Sequence, residues 1–393
     1  MERFLRLPIG ERSLFFREAA ARMRLSPEII EKDFWVCWVL DTLYSRLGFT
    51  DKIIFKGGTS LSKCYNAIER FSEDVDITID MSLFEHDIKD PLENGISGKE
   101  SKRREALLDN PETIKLVQDF IITNVVRVLE NKFYSTLPSG TEYSLSKKRG
   151  QGFSWSLDPV KALRTWQDKL KRKVVSPLSE YNEYVKESYM PDRIGWEFDD
   201  KDPLTLLFRY PTNAVHSDSY IQPVIRLEFG IRGGITPYES HAVKPYVRNF
   251  FPGFFDRQFC PISTLAAKRT FWEKIIILHE LKYKYQPDKN KLYRQSRHYY
   301  DIYMLIIKGI VIDALDNSHL LQEIADNSLK RFGISNNLYR TIKIGLLNIT
   351  PTPEMLRELE KDYKDMELMF MKEQPAFNDI IEKIKELGVT INT

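Results

Sequence analysis

The clearest pattern along the chain is a change of hydrophobic period between residues 53 and 80. Ile53 to Phe55 form a short apolar run that is typical of a buried strand. From Thr59 onward, apolar residues recur at helical spacing on one face, namely Leu61, Cys64, Tyr65 and Ile68. From Asp74 to Asp80, apolar and polar residues alternate, which is the period of a strand with one buried face. The segment therefore predicts a strand, a helix and a second strand.

Helical periods lie on both sides of this unit. Residues 11 to 47 predict helices, one of which starts at Ser26-Pro27-Glu28, with a capping residue and Pro in the first turn. Pro111 to Phe133 predicts an amphipathic helix. Residues 82 to 110 are polar and charged and predict an exposed loop. From about Ser263 to the C-terminus, the pattern is again helical.

Two more strands are predicted between these helical regions. They cover Leu204 to Tyr210 and Tyr220 to Ile231, and in the second strand Val224, Arg226 and Glu228 share one face. The order of elements predicts an α+β fold. We expect one domain over residues 1–262, with N-terminal helices and an inserted region at about 82–215. A helical C-terminal domain over residues 263–393 would complete the site.

The composition is that of a soluble globular protein. The chain has 393 residues, of which 42% are hydrophobic and 29% are charged, enough for two or three subdomains. No apolar run approaches the length of a membrane span, and Met1-Glu2-Arg3-Phe4 does not start a secretory signal. The three cysteines, Cys37, Cys64 and Cys260, have no metal-binding spacing. These features predict a cytoplasmic protein without a membrane partner.

The net charge of +2 does not by itself indicate a nucleic-acid partner, but basic residues are clustered. Lys161 to Lys173 has six basic residues, one acidic residue and Trp166. Lys282 to Tyr300 has six basic residues, one acidic residue and five tyrosines. Such segments either bind phosphates and stack on unpaired bases, or form solvated surfaces with the aromatic rings turned inward. The sequence leaves both interpretations open.

Residues 57 to 76 contain the strongest chemical motif. Gly57 and Gly58 allow a tight turn and a close approach of a ligand to the backbone. We expect Thr59 or Ser60 to cap the helix that follows, whose free N–H groups favour anions. Asp74 and Asp76 would point the same way, with Cα atoms about 6.6 Å apart, a spacing at which carboxylates can share metal ions.

Either half of this motif alone is more often an ordinary turn or a solvated strand face. Joined by one helix, the two halves predict phosphate and metal binding, and hence phosphoryl or nucleotidyl transfer.

A third carboxylate is a candidate for the same cluster. Glu228 lies on the polar side of its strand, and it would join Asp74 and Asp76 if the two strands are neighbours. It would then help to ligate a metal or accept the proton of an attacking hydroxyl. Alternatively, Glu228 forms an ion pair with Arg226 on an exposed face.

Later residues provide further charged candidates. Lys274 lies on a strongly apolar helix, where it either extends to solvent or reaches a phosphate. Asp301 would ligate a base, orient Lys274 or simply favour a helix start. His279 and His298 lack zinc-type spacing and are expected to be core or surface histidines.

The chain resembles the AbiEii-type nucleotidyltransferase toxins, which have a DNA polymerase β-like fold. The resemblance spans about residues 30 to 305 and depends on motifs in the family's order. These are Glu31–Trp35, Phe55–Lys63, Arg70–Ile77, Arg226–Glu228, Arg269–Lys274 and Ser296–Asp301. Two features depart from the family pattern: Arg297-His298 stands where many members have Arg-Asp, and the region between Asp80 and Glu228 resembles nothing recognisable.

The resemblance implies a mixed sheet flanked by helices and the transfer of a nucleoside monophosphate from an NTP with Mg²⁺ or Mn²⁺. It implies metal binding by Asp74 and Asp76, with Lys274 and Asp301 completing the catalytic site. The expected nucleotide-binding residues share small or hydroxyl-bearing side chains apart from one lysine, and they are Gly57, Gly58, Thr59, Ser60, Lys63 and Ser72.

The resemblance also implies a toxin with a cognate antitoxin in a system that aborts phage infection, and an RNA acceptor such as a tRNA 3′ end. Two alternatives stay open. One is a nucleotidyltransferase that modifies a protein or a small molecule. The other is a non-catalytic protein that binds RNA or a partner on the same scaffold.

Overall fold

The computed structural model describes residues 1–136, 194–212, 222–255, 258–286 and 292–393. The basic segment Lys161 to Lys173 lies outside the described residues, as do residues 287–291 of the tyrosine-rich segment. Within the described residues, seven strands form one mixed sheet in the order β3-β4-β5-β2-β1-β7-β6. The strands are β1 Ile53–Lys56, β2 Asp74–Ile79, β3 Gly195–Phe198, β4 Thr205–Arg209, β5 Val224–Gly230, β6 Tyr238–Ala242 and β7 Pro261–Leu265.

The centre of the sheet contains the strands with the candidate residues. β2 pairs antiparallel with β1 and parallel with β5, and β1 pairs parallel with β7. The strands predicted at residues 53–55, 74–80, 204–210 and 220–231 are confirmed, with small changes in their bounds. The chain enters the C-terminal helices only after Leu265, so the helical start predicted near Ser263 was wrong, because Ser263 pairs with Ser240 in the sheet.

N-terminal helices cover one face of the sheet. They are α1 Glu2–Leu5, α2 Ile9–Met23 and α3 Pro27–Arg46. The predicted start of α3 is confirmed, because Ser26 accepts a hydrogen bond from the backbone N–H of Ile29 at 3.4 Å. Most of α3 is buried, and Trp38 stacks on Phe208 of β4 with ring centroids 6.1 Å apart. This packing fixes the sheet against the N-terminal layer.

The loop predicted at residues 82–110 was wrong in part. It contains a short 3₁₀ turn, Met81–Phe84, and helix α5, Gly98–Leu107. Ser97 caps α5 by accepting a hydrogen bond from the N–H of Glu100 at 3.2 Å. Arg103 and Arg104 then pair with Glu100 at 2.9 Å. Charge pairs at helical spacing therefore stabilise a helix that has no long apolar stripe to reveal it.

The amphipathic helix predicted from Pro111 to Phe133 is observed as a continuous helical segment. It consists of α6, Pro111–Phe120, a π-helical turn, Ile121–Val126, and α7, Arg127–Thr136.

The C-terminal part is helical and has a core of its own. Its helices are α8 Ala267–Lys284, α9 Ser296–Ile307, α10 Ile310–Asp316, α11 His319–Arg331, α12 Asn336–Tyr339, α13 Pro353–Asp365 and α14 Phe377–Thr390. Leu61, on the short helix after β1, belongs to this second core, whereas Phe55 and Val75 belong to the core of the sheet. The segment with the candidate motif therefore connects the two cores. No helix among the described residues is long and apolar enough to cross a membrane.

Candidate active site

The candidate residues form a row across the three central strands. Lys56 lies opposite Asp76, and Asp76 lies beside Glu228. Residues that face each other in neighbouring strands point to the same side of a sheet, so the three charged side chains share one face. Asp74 lies two residues before Asp76 on the same face, beside Arg226. The two strands are neighbours, which is the condition under which Glu228 would join the two aspartates.

The turn after β1 brings the backbone against a carboxylate. Gly57 has a φ of +79°, in the left-handed region, and begins helix α4, Gly57–Lys63. A Cβ atom at Gly57 would lie 1.9 Å from Oδ2 of Asp76. Glycine is therefore required at this position both by the backbone conformation and by the neighbouring side chain.

The second glycine of the turn lies close to two other side chains. A Cβ atom at Gly58 would lie 2.8 Å from Oγ of Ser72 and 3.0 Å from Nη2 of Arg70. The Gly57-Gly58 turn thus lies close to Asp76 at its first glycine and to Ser72 and Arg70 at its second. Ser72 therefore borders Gly58, which is one of the residues expected to bind the nucleotide.

Two expectations about α4 were wrong. The residue before the helix is Lys56, which makes no side-chain capping bond. The hydroxyl of Thr59 donates to the carbonyl oxygen of Asp74, and that of Ser60 donates to the carbonyl oxygen of Gly57 at 2.8 Å. The helix ends at Lys63, so the rest of the predicted helical face, Cys64, Tyr65 and Ile68, lies beyond it. The Thr59 bond instead holds α4 against the strand with the acidic residues.

The carboxylate of Asp74 has an unsatisfied oxygen. Oδ1 is buried and has no hydrogen-bond partner among the described residues. Its nearest cation is Nε of Arg226 at 3.8 Å, and Oδ2 lies 3.8 Å from Nη1 of Arg297. These distances exceed hydrogen-bonding range, so the charge of Asp74 is only partly compensated.

Burial and mutual repulsion perturb the other two carboxylates. The pKa of Asp76 is raised, mainly by burial and further by Asp74, while Lys56 acts in the opposite direction. Burial, with Asp76 and Asp74 as neighbouring charges, raises the pKa of Glu228 to about 7. Arg226 donates from Nε to Oε1 of Glu228 at 3.3 Å and from Nη1 to Asp199 at 2.6 Å. Both interpretations of Glu228 are thus realised, since it joins the acidic cluster and also pairs with Arg226.

The acidic residues fit a divalent cation. Asp74 has a buried oxygen without a hydrogen-bond partner among the described residues, and Asp76 lies two residues further along the same strand. In the described part of the chain, no group of three His, Cys, Asp or Glu side chains is already arranged around a metal position. Mg²⁺ is often held by one or two carboxylates, with phosphates and water completing the shell. Asp74 and Asp76 match that donor set, and Glu228 lies beside Asp76 in the neighbouring strand as the third predicted metal-binding carboxylate.

A buried ion cluster connects the C-terminal helices to the site. Asp301 of α9 is fully buried, and its Oδ2 lies 2.8 Å from Nζ of Lys274 on α8. It also accepts two hydrogen bonds from Arg70, at 2.8 and 2.9 Å. Burial alone would raise the pKa of Asp301, but Arg70 and Lys274 hold it well below its usual value. Of the predicted alternatives, Asp301 orients Lys274, and it orients Arg70 as well.

Lys63 has a different environment from the one expected. Its ammonium lies 2.5 Å from Oδ1 of Asp33 and 3.8 Å from the ring centroid of Tyr246. Oδ2 of Asp33 accepts a hydrogen bond from the N–H of Tyr246 at 2.6 Å. Lys63 is thus held in a buried ion pair, and its contact with a nucleotide stays a prediction.

Two site cations were not predicted from the sequence. Lys56 has no ion-pair partner within 4.0 Å among the described residues, although it is the strongest favourable charge acting on Asp76. A Cβ atom at Gly233 would lie 3.3 Å from Nζ of Lys56, so the chain after β5 approaches it closely. Arg70 is the other. In the sequence, Arg70 stands out as a basic residue between the apolar Ile68 and Phe71. This position predicts burial, and a buried arginine requires an acidic partner.

The two histidines are not arranged as metal ligands. His279 pairs with the Thr341 hydroxyl at 2.9 Å and accepts a hydrogen bond from the N–H of Asn348 at 2.9 Å. The pKa of His298 is well below its usual value because of burial and the nearby cations Lys274 and Arg297. His279 is buried and His298 is partly buried, in line with the expected core or surface role.

A glycine turn against two strand aspartates, with a buried lysine nearby, has the types of group that nucleotidyl transfer requires. The chain belongs to the family of nucleotidyl transferase AbiEii toxins of type IV toxin–antitoxin systems, whose model matches residues 38–158 and 160–383. The chain is therefore a nucleotidyltransferase toxin, and enzymes of this family generally use a divalent metal.

Two solved structures are similar to the chain at low identity. MenT4, the nucleotidyltransferase toxin Rv2826c from Mycobacterium tuberculosis H37Rv, has 13% identity and a TM-score of 0.38, with 98% of this chain and 100% of that chain covered. JHP933 from Helicobacter pylori has 13% identity and a TM-score of 0.33, with 94% of this chain and 98% of that chain covered. No curated protein matches the sequence.

Proposed function

We propose that the protein transfers a nucleoside monophosphate from an NTP to an RNA acceptor, such as a tRNA 3′ end, with Mg²⁺ or Mn²⁺. The observation that supports this most strongly is the contact between the Gly57 backbone and the carboxylate of Asp76. A phosphate bound at the turn would lie directly beside a metal-binding oxygen. Nucleotidyl transfer requires this juxtaposition, because a metal ion and backbone donors share the charge of the same polyphosphate.

The turn and its neighbours would bind the triphosphate. Gly57 and Gly58 bring the backbone within reach of the phosphates, and the N–H groups at the start of α4 favour anions. Ser72 borders the second glycine and would add a hydroxyl donor. Thr59 and Ser60 would stabilise the turn without binding the phosphates directly, because their hydroxyls donate to backbone carbonyls.

Asp74 and Asp76 would hold the divalent cation. A bound cation at these carboxylates would stabilise the charge that develops on the α-phosphate and on the departing pyrophosphate. Lys56 and Lys274 lie near Asp76 and would share that charge. Asp301 keeps Lys274 in place by their contact at 2.8 Å. Positioning and electrostatics of this kind account for most of the catalysis of phosphoryl-type transfer.

Glu228 would accept a proton from the acceptor. It lies beside Asp76 in the neighbouring strand, and Arg226 fixes its carboxylate with a donor at 3.3 Å. We assign it the proton of the attacking hydroxyl, because a carboxylate beside Asp76 in the neighbouring strand would lie close to a phosphate bound at the turn.

As a member of a type IV toxin family, the protein has an implied antitoxin partner. We propose that the antitoxin is encoded next to it, that the toxin acts in the cytoplasm, and that the system aborts phage infection. Expression of the protein with and without the neighbouring gene tests this proposal. Growth should stop only when the toxin is expressed alone, and equal growth in both cultures would contradict it.

The chemical proposal is tested with each of the four NTPs labelled at the α-phosphate. The purified protein is incubated with total tRNA or with total protein, with a divalent cation or with a chelator. We expect label from a preferred NTP to enter RNA only when the cation is present. Label that enters protein instead would contradict the RNA acceptor, and no transfer under any condition would contradict nucleotidyl transfer itself.

A further inference from the structure

The turn Leu292–Ser296 lies close to the start of β2, the strand that carries Asp74 and Asp76. The guanidinium of Arg294 is 3.6 Å from Oε1 of Glu73, which precedes Asp74 in the chain. Three residues later in the chain, Nη1 of Arg297 is 3.8 Å from Oδ2 of Asp74. A ligand bound by Arg294 would therefore be adjacent to the metal-binding carboxylates.

The turn is held by hydrogen bonds to a buried carboxylate on a helix that is distant in the sequence. Asp362 of α13 accepts hydrogen bonds from the N–H of Arg294 at 2.5 Å and the N–H of Ser296 at 2.8 Å. It also accepts one from the Ser296 hydroxyl at 2.5 Å. Arg294 has a φ of +59°, which is uncommon for a residue other than glycine. The Asp362 carboxylate thus holds the turn in one conformation.

The side chains that the turn presents are not used elsewhere in the described part of the chain. Tyr293 is 68% exposed, the highest value among the large exposed hydrophobic side chains. Its hydroxyl has no hydrogen bond to the described residues, and its ring contacts no other described ring. Arg294 has a single long ion pair, at 3.6 Å to Glu73, whereas Glu73 is already bound by Lys32 at 2.6 Å. Most of the five donors of Arg294 are therefore available for a ligand.

We propose that the Leu292–Ser296 turn binds the end of a single-stranded nucleic acid acceptor. Tyr293 stacks on an unpaired base and Arg294 binds the adjoining phosphate. An exposed aromatic ring beside a guanidinium matches the two features of an unpaired nucleotide, its flat base and its phosphate. A protein acceptor offers no phosphate to Arg294. Asp362 acts as a positioning residue. This inference rests on the proposed function, because it concerns the acceptor of the same transfer reaction.

The test separates the acceptor from the NTP. A short fluorescent oligoribonucleotide with a free 3′ end is titrated against the wild type and the variants, and transfer to total tRNA is measured in parallel. Tyr293→Ala should weaken oligonucleotide binding by about 5- to 150-fold, the range for one stacked base. Tyr293→Phe should retain binding, because it keeps the ring. The matched control is Tyr283→Ala, which removes a tyrosine that is 49% exposed at the end of α8 and should change nothing.

Arg294→Ala gives an independent readout. It should reduce the slope of log affinity against log salt concentration by about 0.7, the value for one phosphate contact on a single strand. The exposed Arg340→Ala should leave that slope unchanged. Asp362→Asn should raise the acceptor KM, and in all these variants the KM for the NTP should stay at the wild-type value.

Three outcomes of the affinity measurements would overturn the inference. They are equal oligonucleotide binding by Tyr293→Ala and the wild type, an equal loss in Tyr293→Phe, or a loss of NTP affinity that matches the loss of acceptor affinity. Transfer to total protein instead of RNA, unaffected by Tyr293→Ala, would also overturn it while leaving nucleotidyl transfer intact. Failure of the proposed function is recognisable separately, since the wild type would then transfer nothing.

Discussion

Gly57→Ala is the substitution whose effect follows most directly from the geometry. The new Cβ atom would lie 1.9 Å from Oδ2 of Asp76, so the oxygen would have to move to at least 3.4 Å for an ordinary contact. A displacement of about 1 Å in a reacting group can cost about 100-fold in rate. We expect kcat/KM for nucleotidyl transfer to fall by about 100-fold or more.

Backbone strain accompanies this displacement and must be measured separately. Gly57 has a φ of +79°, and an alanine in the left-handed region costs about 1–2 kcal/mol. Gly95 is the matched control, because it has a φ of +84° and no atom within 4 Å of an added Cβ. Urea unfolding should show the loss from backbone strain in both variants, and Gly57→Ala should lose at least as much stability as Gly95→Ala because of the added contact with Asp76.

Only the Gly57 variant should lose transfer activity when labelled NTP and acceptor are supplied. The reasoning would be refuted if Gly57→Ala had the kcat/KM of the wild type. It would also be refuted if Gly95→Ala lost as much activity, because backbone strain alone would then explain the effect.

Three further substitutions test separate parts of the account. Asp301→Asn leaves two buried cations without their counter-charge, so urea unfolding should show a loss of about 3–5 kcal/mol; an unchanged midpoint would contradict the buried cluster. Glu31 is buried and its pKa is raised to about 7, mainly by burial. Its folded pKa exceeds the unfolded value of 4.5, so its contribution to stability is present below pH 4.5 and is lost as the pH rises through 7. Glu31→Gln should therefore be more stable than the wild type at pH 8 by about 1–3 kcal/mol and should show no such gain at pH 4, whereas equal gains at both values would contradict the assignment. Lys56→Met should weaken the binding of NTP more than that of NMP, measured by titration with each nucleotide, and equal losses would argue against a role at the outer phosphates.

The central strands were predictable because their pattern is local. The alternation from Asp74 to Ile79 predicted β2, and a strand with one buried face leaves this trace in any sequence. Helix α5 was missed because its stability comes from Ser97 and from charge pairs on Glu100, whereas the prediction relied on apolar periodicity.

The partners of the charged residues were not predictable, because they come from distant parts of the chain. Arg70 and Asp301 are 231 positions apart, and the sequence does not show that they meet. Lys63 was expected at a nucleotide, and its ion pair with Asp33, 30 positions earlier, was not foreseen. A basic residue beside a phosphate-binding turn looks the same in sequence whether it faces the ligand or a buried acid. Only the packing of α3 against α4 decides between the two.

The most direct test of the central claim is the transfer rate of Asp76→Asn. The substitution keeps the shape of the side chain and removes the negative charge that would bind the divalent cation. Because burial raises the pKa of Asp76, the neutral side chain should leave the thermal midpoint at or above that of the wild type. We expect label transfer from the NTP to be abolished in Asp76→Asn and retained in Asp51→Asn, an exposed control. Wild-type transfer by folded Asp76→Asn would contradict the assignment of this site.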